Sequence, residues 1–149
     1  MTVEADRILP FAIVITGNTE AVRAGLVRIM ERLAPLSMAA PEREVVELVL
    51  AEVLNNIVAH AFHDAPVALP ITIRCRRDVR DLHLRITDPG HPMPGGELPG
   101  GAARPTDVAT ADLPEGGFGW FLIRQLVRDL RYNRVGKINR LDLWVTLHP

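Results

Sequence analysis

The sequence predicts a single α+β domain over residues 1–149, built as a two-layer sandwich in which helices cover one face of a mixed, mainly antiparallel sheet. Three observations lead to this fold class. A chain of 149 residues suits one domain and can bury a substantial core. Strand and helix periodicities alternate along it, and the predicted strands come in adjacent pairs, which favours antiparallel neighbours. A Pro/Gly-rich stretch at about 89–118, a candidate lid, separates the last helix and strand pair from the rest.

The first strand and the first helix are predicted from the apolar pattern and a capping residue. An apolar run from Ile8 to Ile15 ends at a Thr-Gly-Asn turn, which is typical of a strand. Asn18 or Thr19 can cap the helix that follows, and Pro35 ends it. Its apolar residues recur at helical spacing: Val22, Leu26, Ile29, Met30 and Leu33.

The second helix is predicted over Glu42 to Phe62. Pro41 suits its first position, and the acidic residues Glu42 and Glu44 favour its positively charged end. Apolar residues cover a wide arc of this helix, so we expect most of it to be buried. The segment from Asp64 to Pro66 ends it.

Two strand pairs complete the predicted sheet. The segments Pro70 to Arg77 and Arg80 to Asp88 are predicted as a hairpin, because apolar and polar residues alternate and the link is short. After the lid, the pattern predicts a helix from Trp120 to Leu130, then strands at Arg131 to Val135 and Arg140 to Leu147.

The stretch from Pro89 to Gly119 differs in character from the rest of the chain. It holds eight of the 11 glycines and six of the 12 prolines, with few large apolar residues. A loop of this length in a compact domain is usually a functional lid or a disordered segment.

The bulk composition argues against several function classes. The net charge is −1 and no basic run occurs, so we expect no nucleic-acid partner. Cys75 is the only cysteine, which excludes an intrachain disulfide and favours a reducing compartment. No apolar run approaches the roughly 20 residues of a membrane span, and the acidic start does not resemble a signal peptide. We therefore expect a cytoplasmic protein without a membrane partner.

Three polar residues form one stripe on the second predicted helix. Glu52, Asn56 and His60 stand four residues apart, so they share one face. A glutamate within an apolar helix is costly unless it is paired, hydrated or used. A core helix with a solvated edge is the alternative interpretation.

Two glycine-containing motifs follow. Asp88-Pro89-Gly90 ends a strand, where the carboxylate can accept an amino proton from a base, although a plain turn has the same composition. Gly116-Gly117-Phe118-Gly119 opens a helix whose N–H groups can face an anion. A dinucleotide fingerprint is excluded because the third glycine is missing and no strand precedes it, and no Walker A motif occurs.

In this order, the motifs resemble the N, G1 and G2 boxes of the GHKL ATPases, and the resemblance extends from Ile8 to Leu147. The chain looks like the stand-alone anti-sigma-factor serine/threonine kinase branch, the RsbW and SpoIIAB type. Typical of that branch are the Asp88-x-Gly90-x-Pro92 box, the run from Gly116 to Arg124, and the closing pattern of Tyr132, Arg134, Asn139, Leu141 and Leu143. The resemblance implies the Bergerat or histidine-kinase-like ATPase fold with an ATP lid.

The resemblance also implies roles for individual residues. Asn56 would ligate Mg²⁺, and Glu52 would be the general base of phosphoryl transfer. Asp88 would bind the adenine amino group, and Arg23 would contact a partner. The other residues expected to bind ATP are His60, Gly90, Gly116, Gly117, Phe118 and Gly119.

The chain departs from the wider family in two ways, in the charge of its lid and at one residue near its end. Glu115 stands where relatives have a basic residue, and Arg104 is the only arginine of the lid. Charge stabilisation of the γ-phosphate would then fall to Arg104, Arg124 or the partner. Asn139 stands about where many superfamily members place a threonine beside the adenine.

The function implied is an ATP- and Mg²⁺-dependent serine/threonine protein kinase that acts as a partner switch. It would phosphorylate a STAS-domain antagonist, sequester a sigma factor or another regulatory target, and form a homodimer. Three alternatives stay open. These are a nucleotide-binding switch with weak or no catalysis, a histidine-kinase-type catalytic module, and a structural domain with coincidental motifs.

Overall fold

The computed structural model describes residues 8–98 and 117–148, which form a five-stranded sheet with helices packed on one face. Its strands are β1 (Phe11–Thr16), β2 (Pro70–Arg77), β3 (Asp81–Asp88), β4 (Asp129–Val135) and β5 (Ile138–Thr146). They lie in the order β1-β2-β3-β5-β4, and every neighbouring pair is antiparallel. The helices are α1 (Thr19–Leu33), α2 (Ala40–Asn56) and α3 (Gly117–Leu126). The α+β fold class is confirmed, and the sheet is antiparallel throughout the described residues.

The inner face of the sheet supplies half of the hydrophobic core. Side chains alternate along each strand, so one face turns toward the helices and the other stays open. The inner face is almost completely buried at Ile13, Ile71, Ile73, Leu84, Ile86 and Leu143. On the outer face, the His83 ring stacks on Trp144 and its Nε2 lies 2.7 Å from Asp142.

Helix α1 begins where the sequence predicts and packs closely on β1. The Asn18 side chain accepts a hydrogen bond from the Ala21 N–H at 2.8 Å, which satisfies one of the free donors of the first turn. Gly25 is buried against Ile15, and a Cβ at this position would overlap the Ile15 side chain. The short distance between helix and strand therefore depends on the missing side chain.

Helix α2 has the predicted extent but not the predicted form at its end. It is α-helical from Ala40 to Asn56 and continues as a π-helical turn over Ile57–Ala61. The Phe62 N–H donates to the Ile57 carbonyl at 3.0 Å, five residues back, which is the hydrogen bond of a π turn. Such turns are frequent at functional sites, and this one directly follows Asn56.

The prediction for α3 is wrong at both ends. The helix begins at Gly117 and ends at Leu126, whereas Trp120 to Leu130 was expected. Leu126 and Leu130 have helical spacing, but Leu130 pairs with Leu143 in the β4–β5 ladder. The Arg128 N–H donates to the Trp144 carbonyl at 2.8 Å. The backbone at Arg128 is therefore hydrogen-bonded to the sheet, and the helix does not continue to Leu130.

The remaining expected strands are found with small shifts at their ends. The first strand starts at Phe11 rather than Ile8, while β4 and β5 each start two residues earlier than predicted. Of the predicted lid, residues 89–98 are described and include a short 3₁₀ turn at Pro94–Gly96, while residues 117–118 belong to α3. None of the described helices combines the length and apolar character that crossing a bilayer requires.

We predict that Gly25→Ala destabilises the protein by about 1 kcal/mol. Alanine improves helix propensity by up to about 1 kcal/mol, but overpacking against Ile15 costs about 1–3 kcal/mol. The double variant with Ile15→Val removes the Cδ1 methyl that the new Cβ meets first. Urea unfolding of the double-mutant cycle should therefore show favourable coupling. A Gly25→Ala protein more stable than wild type would contradict the close packing.

Candidate functional site

A cavity of about 560 Å³ opens between the end of α2, the inner face of β3 and β5, and the start of α3. This volume lies in the range typical of small-molecule sites. Its apolar wall includes Val53, Ile57, Ile86, Trp120 and Leu141, and the loop after β3 adds Met93. Polar groups enter it from separate elements: Asn56, His60, His63, Asp88, His91, Tyr132 and Asn139. Few polar groups on an apolar wall favour recognition of a flat, mostly apolar ligand with specific hydrogen bonds.

Glu52 and Asn56 face the start of α3 from one side of α2. Both are half-buried and stand one helical turn apart. A Cβ placed on Gly119 would lie 3.1 Å from Glu52 Oε2 and 3.5 Å from Asn56 Nδ2. Glycine at this position therefore lets the start of α3 approach a carboxylate and an amide without crowding them. The structure brings together three residues that the sequence placed in two separate motifs.

The Asn56 amide lacks a partner within the part of the chain that the structure describes. Its Nδ2 atom is buried and makes no hydrogen bond there. Buried polar groups are almost always satisfied, so an orphan of this kind needs an explanation. The amide oxygen and nitrogen exchange places by a simple flip, and an amide oxygen suits Mg²⁺. The chemistry of this position therefore fits a metal-ligating amide.

Asp88 is the buried carboxylate of the cavity, with 4% of its surface exposed. Its Oδ1 accepts hydrogen bonds from the Gly90 N–H at 2.8 Å and from Asn139 Nδ2 at 3.0 Å. Both bonds end on Oδ1, which leaves Oδ2 for a donor in the cavity. Burial raises the pKa of Asp88, against the lowering effect of the two hydrogen bonds and of Arg134.

Gly90 allows the loop after β3 to pack on the π turn. A Cβ there would lie 2.6 Å from the Ala61 carbonyl oxygen and 2.7 Å from the Phe62 ring. The neighbouring His91 N–H donates to the same carbonyl at 2.9 Å. A side chain at residue 90 would therefore push the loop away from the cavity wall.

Asn139 links β5 to the loop after β3, a role that the sequence did not reveal. Its Nδ2 donates to Asp88 Oδ1 and also to the His91 carbonyl at 2.7 Å. Its Oδ1 accepts from the Tyr132 hydroxyl at 2.5 Å and from Arg134 at 3.0 Å. The sequence does contain a signal for this role. Asn139 is a polar residue on the face of β5 that otherwise carries the apolar residues Leu141, Leu143 and Val145.

Tyr132 and Arg134 extend this support to the backbone of the same loop. The Tyr132 hydroxyl accepts from the Met93 N–H at 3.0 Å, and Arg134 donates to the Gly90 carbonyl at 2.7 Å. The sequence showed both residues only as part of a family pattern. Their contacts make them positioning residues for the segment that carries Asp88.

The other predicted site residues are distributed as follows. His60 is exposed and lines the cavity from the π turn. Gly117 and Phe118 lie in the first turn of α3. Arg23 is exposed on α1 and is not among the cavity-lining residues. Gly116, Arg104 and Glu115 lie outside the described residues.

Comparison with known proteins agrees with the fold and with the predicted family. Residues 15–145 match the family model described as the histidine kinase-like ATPase domain. The serine/threonine-protein kinase BtrW of Bordetella bronchiseptica is 38% identical over 94 residues, which cover 62% of this chain and 62% of that kinase. The structure of the RsbU and RsbW domains of Rv1364c from Mycobacterium tuberculosis aligns with a TM-score of 0.63 at 13% identity, over 93% of this chain and 32% of that one. The structural likeness shows a shared fold.

We predict that Asp88→Asn does not lower, and can raise, the melting temperature of the nucleotide-free protein. A raised pKa in the folded state means that ionised Asp88 opposes folding, so its contribution is favourable only at low pH. That contribution is lost as pH rises from the ordinary aspartate value of about 3.9 through the raised folded value. The advantage of the variant over wild type, followed by calorimetry, should shrink as pH falls toward about 4. An advantage that grows on acidification would contradict the buried charge.

Proposed function

This chain belongs to the family of histidine kinase-like ATPase domains, and we propose that it is an ATP-dependent serine/threonine protein kinase that works as a partner switch. Its substrate is a STAS-domain antagonist, and it also sequesters a sigma factor or another regulatory target. The observation that carries the proposal is the meeting of Glu52, Asn56 and Gly119 beside a cavity with a buried acceptor, Asp88. A 38% identical relative that is a serine/threonine kinase supports the reaction class.

The base of ATP occupies the apolar cavity in this proposal. Ile86 and Leu141 provide the apolar contact, and Asp88 Oδ2 accepts from the adenine amino group. Guanine carries a carbonyl at the equivalent position, and a carboxylate would repel it. Discrimination between ATP and GTP therefore rests on one buried hydrogen-bond acceptor. Buried polar groups of this kind give large differences in kcat/KM between substrates, because the wrong substrate leaves them unpaired.

The phosphates lie toward the start of α3. Free N–H groups at the beginning of a helix attract anions, and the glycines Gly117 and Gly119 leave that backbone accessible. Asn56 would hold Mg²⁺ through its amide oxygen, with phosphate and water as further ligands. When bound, Mg²⁺ neutralises charge on the phosphates.

Glu52 accepts the proton of the attacking serine. The serine oxygen forms a bond to the γ-phosphorus while the bond from that phosphorus to the bridging oxygen breaks, and ADP leaves. The proton passes to the Glu52 carboxylate, which lies beside the start of α3. The half-buried setting of Glu52 limits competing water.

Binding of protein partners is assigned to the surface outside the cavity. Arg23 is exposed on α1, away from the cavity lining, and we assign it a contact with the partner. The net charge of −1 gives no general attraction to nucleic acid. A homodimer in the cytoplasm remains a prediction from the family resemblance.

A nucleotide-binding switch without phosphoryl transfer is the second candidate. Glu115 and the single arginine Arg104 leave residues 89–116 poor in positive charge. Positive groups stabilise the transferring phosphoryl group, and a single arginine can change the rate by about 10³–10⁵. In this alternative the chain would still bind ATP and exchange partners.

We predict that Mg·ATP stabilises the wild-type protein and not Asn56→Ala. Saturation at 100 times the dissociation constant should add about 2.7 kcal/mol to the free energy of unfolding. Asn55→Ala is the matched control, because Asn55 is an exposed asparagine on the same helix. Thermal unfolding with and without Mg·ATP measures the effect. An equal shift in Asn56→Ala would remove Asn56 from the site.

We predict that Glu52→Gln keeps ATP binding but slows serine phosphorylation of a STAS-domain antagonist by about 10²–10⁴-fold, the usual contribution of a general base. Glu47→Gln on the exposed side of α2 serves as the control. Radiolabelled phosphate transfer and nucleotide binding are measured on the same preparations. A wild-type protein that binds ATP but transfers no phosphate would establish the switch alternative.

A further inference from the structure

Three exposed side chains that can coordinate a metal ion meet at the rim of the cavity. His63 and Asp64 follow the π turn, and His91 lies in the loop after β3. One nitrogen from each ring and a carboxylate oxygen all lie within 4.8 Å of one another. The set is separate from Glu52, Asn56 and Asp88, to which the proposed function assigns roles.

The hydrogen bond of His63 fixes which of its nitrogens can act as a ligand. Nδ1 lies 2.9 Å from the His60 carbonyl oxygen. A carbonyl only accepts, so Nδ1 carries the proton and a neutral ring keeps its lone pair on Nε2. That Nε2 lies 3.9 Å from Asp64 Oδ2, so two electron-rich atoms face each other. Metal-bound histidines typically donate their other N–H to a backbone carbonyl in this way.

The distances from the two imidazoles to Asp64 lie on either side of the ligand spacing in a tetrahedral metal site. Bonds of about 2.0–2.1 Å from nitrogen or oxygen to Zn²⁺ place neighbouring ligand atoms about 3.3 Å apart. His63 Nε2 lies 3.9 Å from Asp64 Oδ2, which is longer, and His91 Nε2 forms a hydrogen bond of 2.5 Å with the other oxygen, Oδ1, which is shorter. All three side chains are exposed, and exposed side chains change rotamer easily, so rotation can bring both imidazoles to one ion, which takes the place of the hydrogen between His91 and Asp64.

The backbone that carries the three ligands is held in place without a metal. The His91 N–H donates to the Ala61 carbonyl, and Gly90 packs against Ala61 and Phe62. Asn139 holds the His91 carbonyl from the sheet side. Only side-chain rotation is therefore needed to complete the site.

We propose that His63, Asp64 and His91 bind a transition-metal cation of the Zn²⁺ class, with water in the fourth position. Two imidazoles and one carboxylate suit such cations and not Mg²⁺, which prefers oxygen ligands. The bound ion joins the segment after the π turn to the loop that carries Gly90, and so ties two walls of the cavity together. The site stands on these three residues alone and does not rest on the proposed function.

The test uses untagged, metal-free protein comprising residues 1–149, without nucleotide. Co²⁺ is titrated and followed by its visible absorption, and Zn²⁺ is then added as a competitor. We expect one saturable Co²⁺ site with a tetrahedral-type spectrum that Zn²⁺ abolishes and excess Mg²⁺ does not. His63→Ala and His91→Ala should each weaken binding at least about 10-fold, since even outer-shell partners change metal affinity about 10–100-fold.

Two control variants decide the assignment. His148→Ala removes an exposed histidine outside the cluster, and His60→Ala removes the neighbouring imidazole but keeps the carbonyl that orients His63. Both should bind Co²⁺ as wild type does. Absence of a saturable site, or binding unchanged in both His63→Ala and His91→Ala, overturns the proposal. Melting temperatures without metal confirm that the variants are folded, which their exposed positions favour.

Discussion

The hydrogen-bonded position of Asn139 is the constraint on which the cavity depends. Antiparallel register places Asn139 opposite Asp88, so one amide reaches both the carboxylate and the loop that follows it. Tyr132 and Arg134 saturate the amide oxygen from the neighbouring strand. A buried network of this kind specifies one arrangement when every member is satisfied. The cavity wall that carries Asp88 and the histidine at its rim are thus both positioned by the end of a hairpin distant in sequence.

The fold was largely predictable because its elements carry clear periodicity. Leu82, Leu84 and Ile86 alternate with polar residues, and this local signal alone indicates a strand. The end of α3 was not predictable, since Leu130 satisfies both a helical spacing and a strand pairing, and only the β5 ladder decides between them. The same limit applies to the site. Glu52 and Asp88 stand out as acids in apolar surroundings, whereas the role of Asn139 depends on a partner 51 residues away.

The candidate site departs from the rules that the core obeys. The core contains apolar side chains and backbone groups that are hydrogen-bonded. The cavity instead holds a carboxylate with a raised pKa and an amide with no hydrogen-bond partner among the described residues. Each departure opposes stability in the ligand-free protein, and the ATP and Mg²⁺ of the proposed function would supply the partners that these groups lack. Departures from local consistency concentrate at functional sites for this reason.

The π turn after α2 has a consequence for sequence change within the family. A π turn is an α-helical turn with one residue inserted, and here it spans Ile57–Ala61. Deleting one of these residues would restore regular helix and leave Asn56 and everything before it undisturbed. It would also rotate Phe62 away from Gly90 and alter the carbonyl that orients His63. Homologues that differ in length by one residue at this point can therefore differ at the cavity rim. They can still keep the same helix, the same sheet and the amide of Asn56.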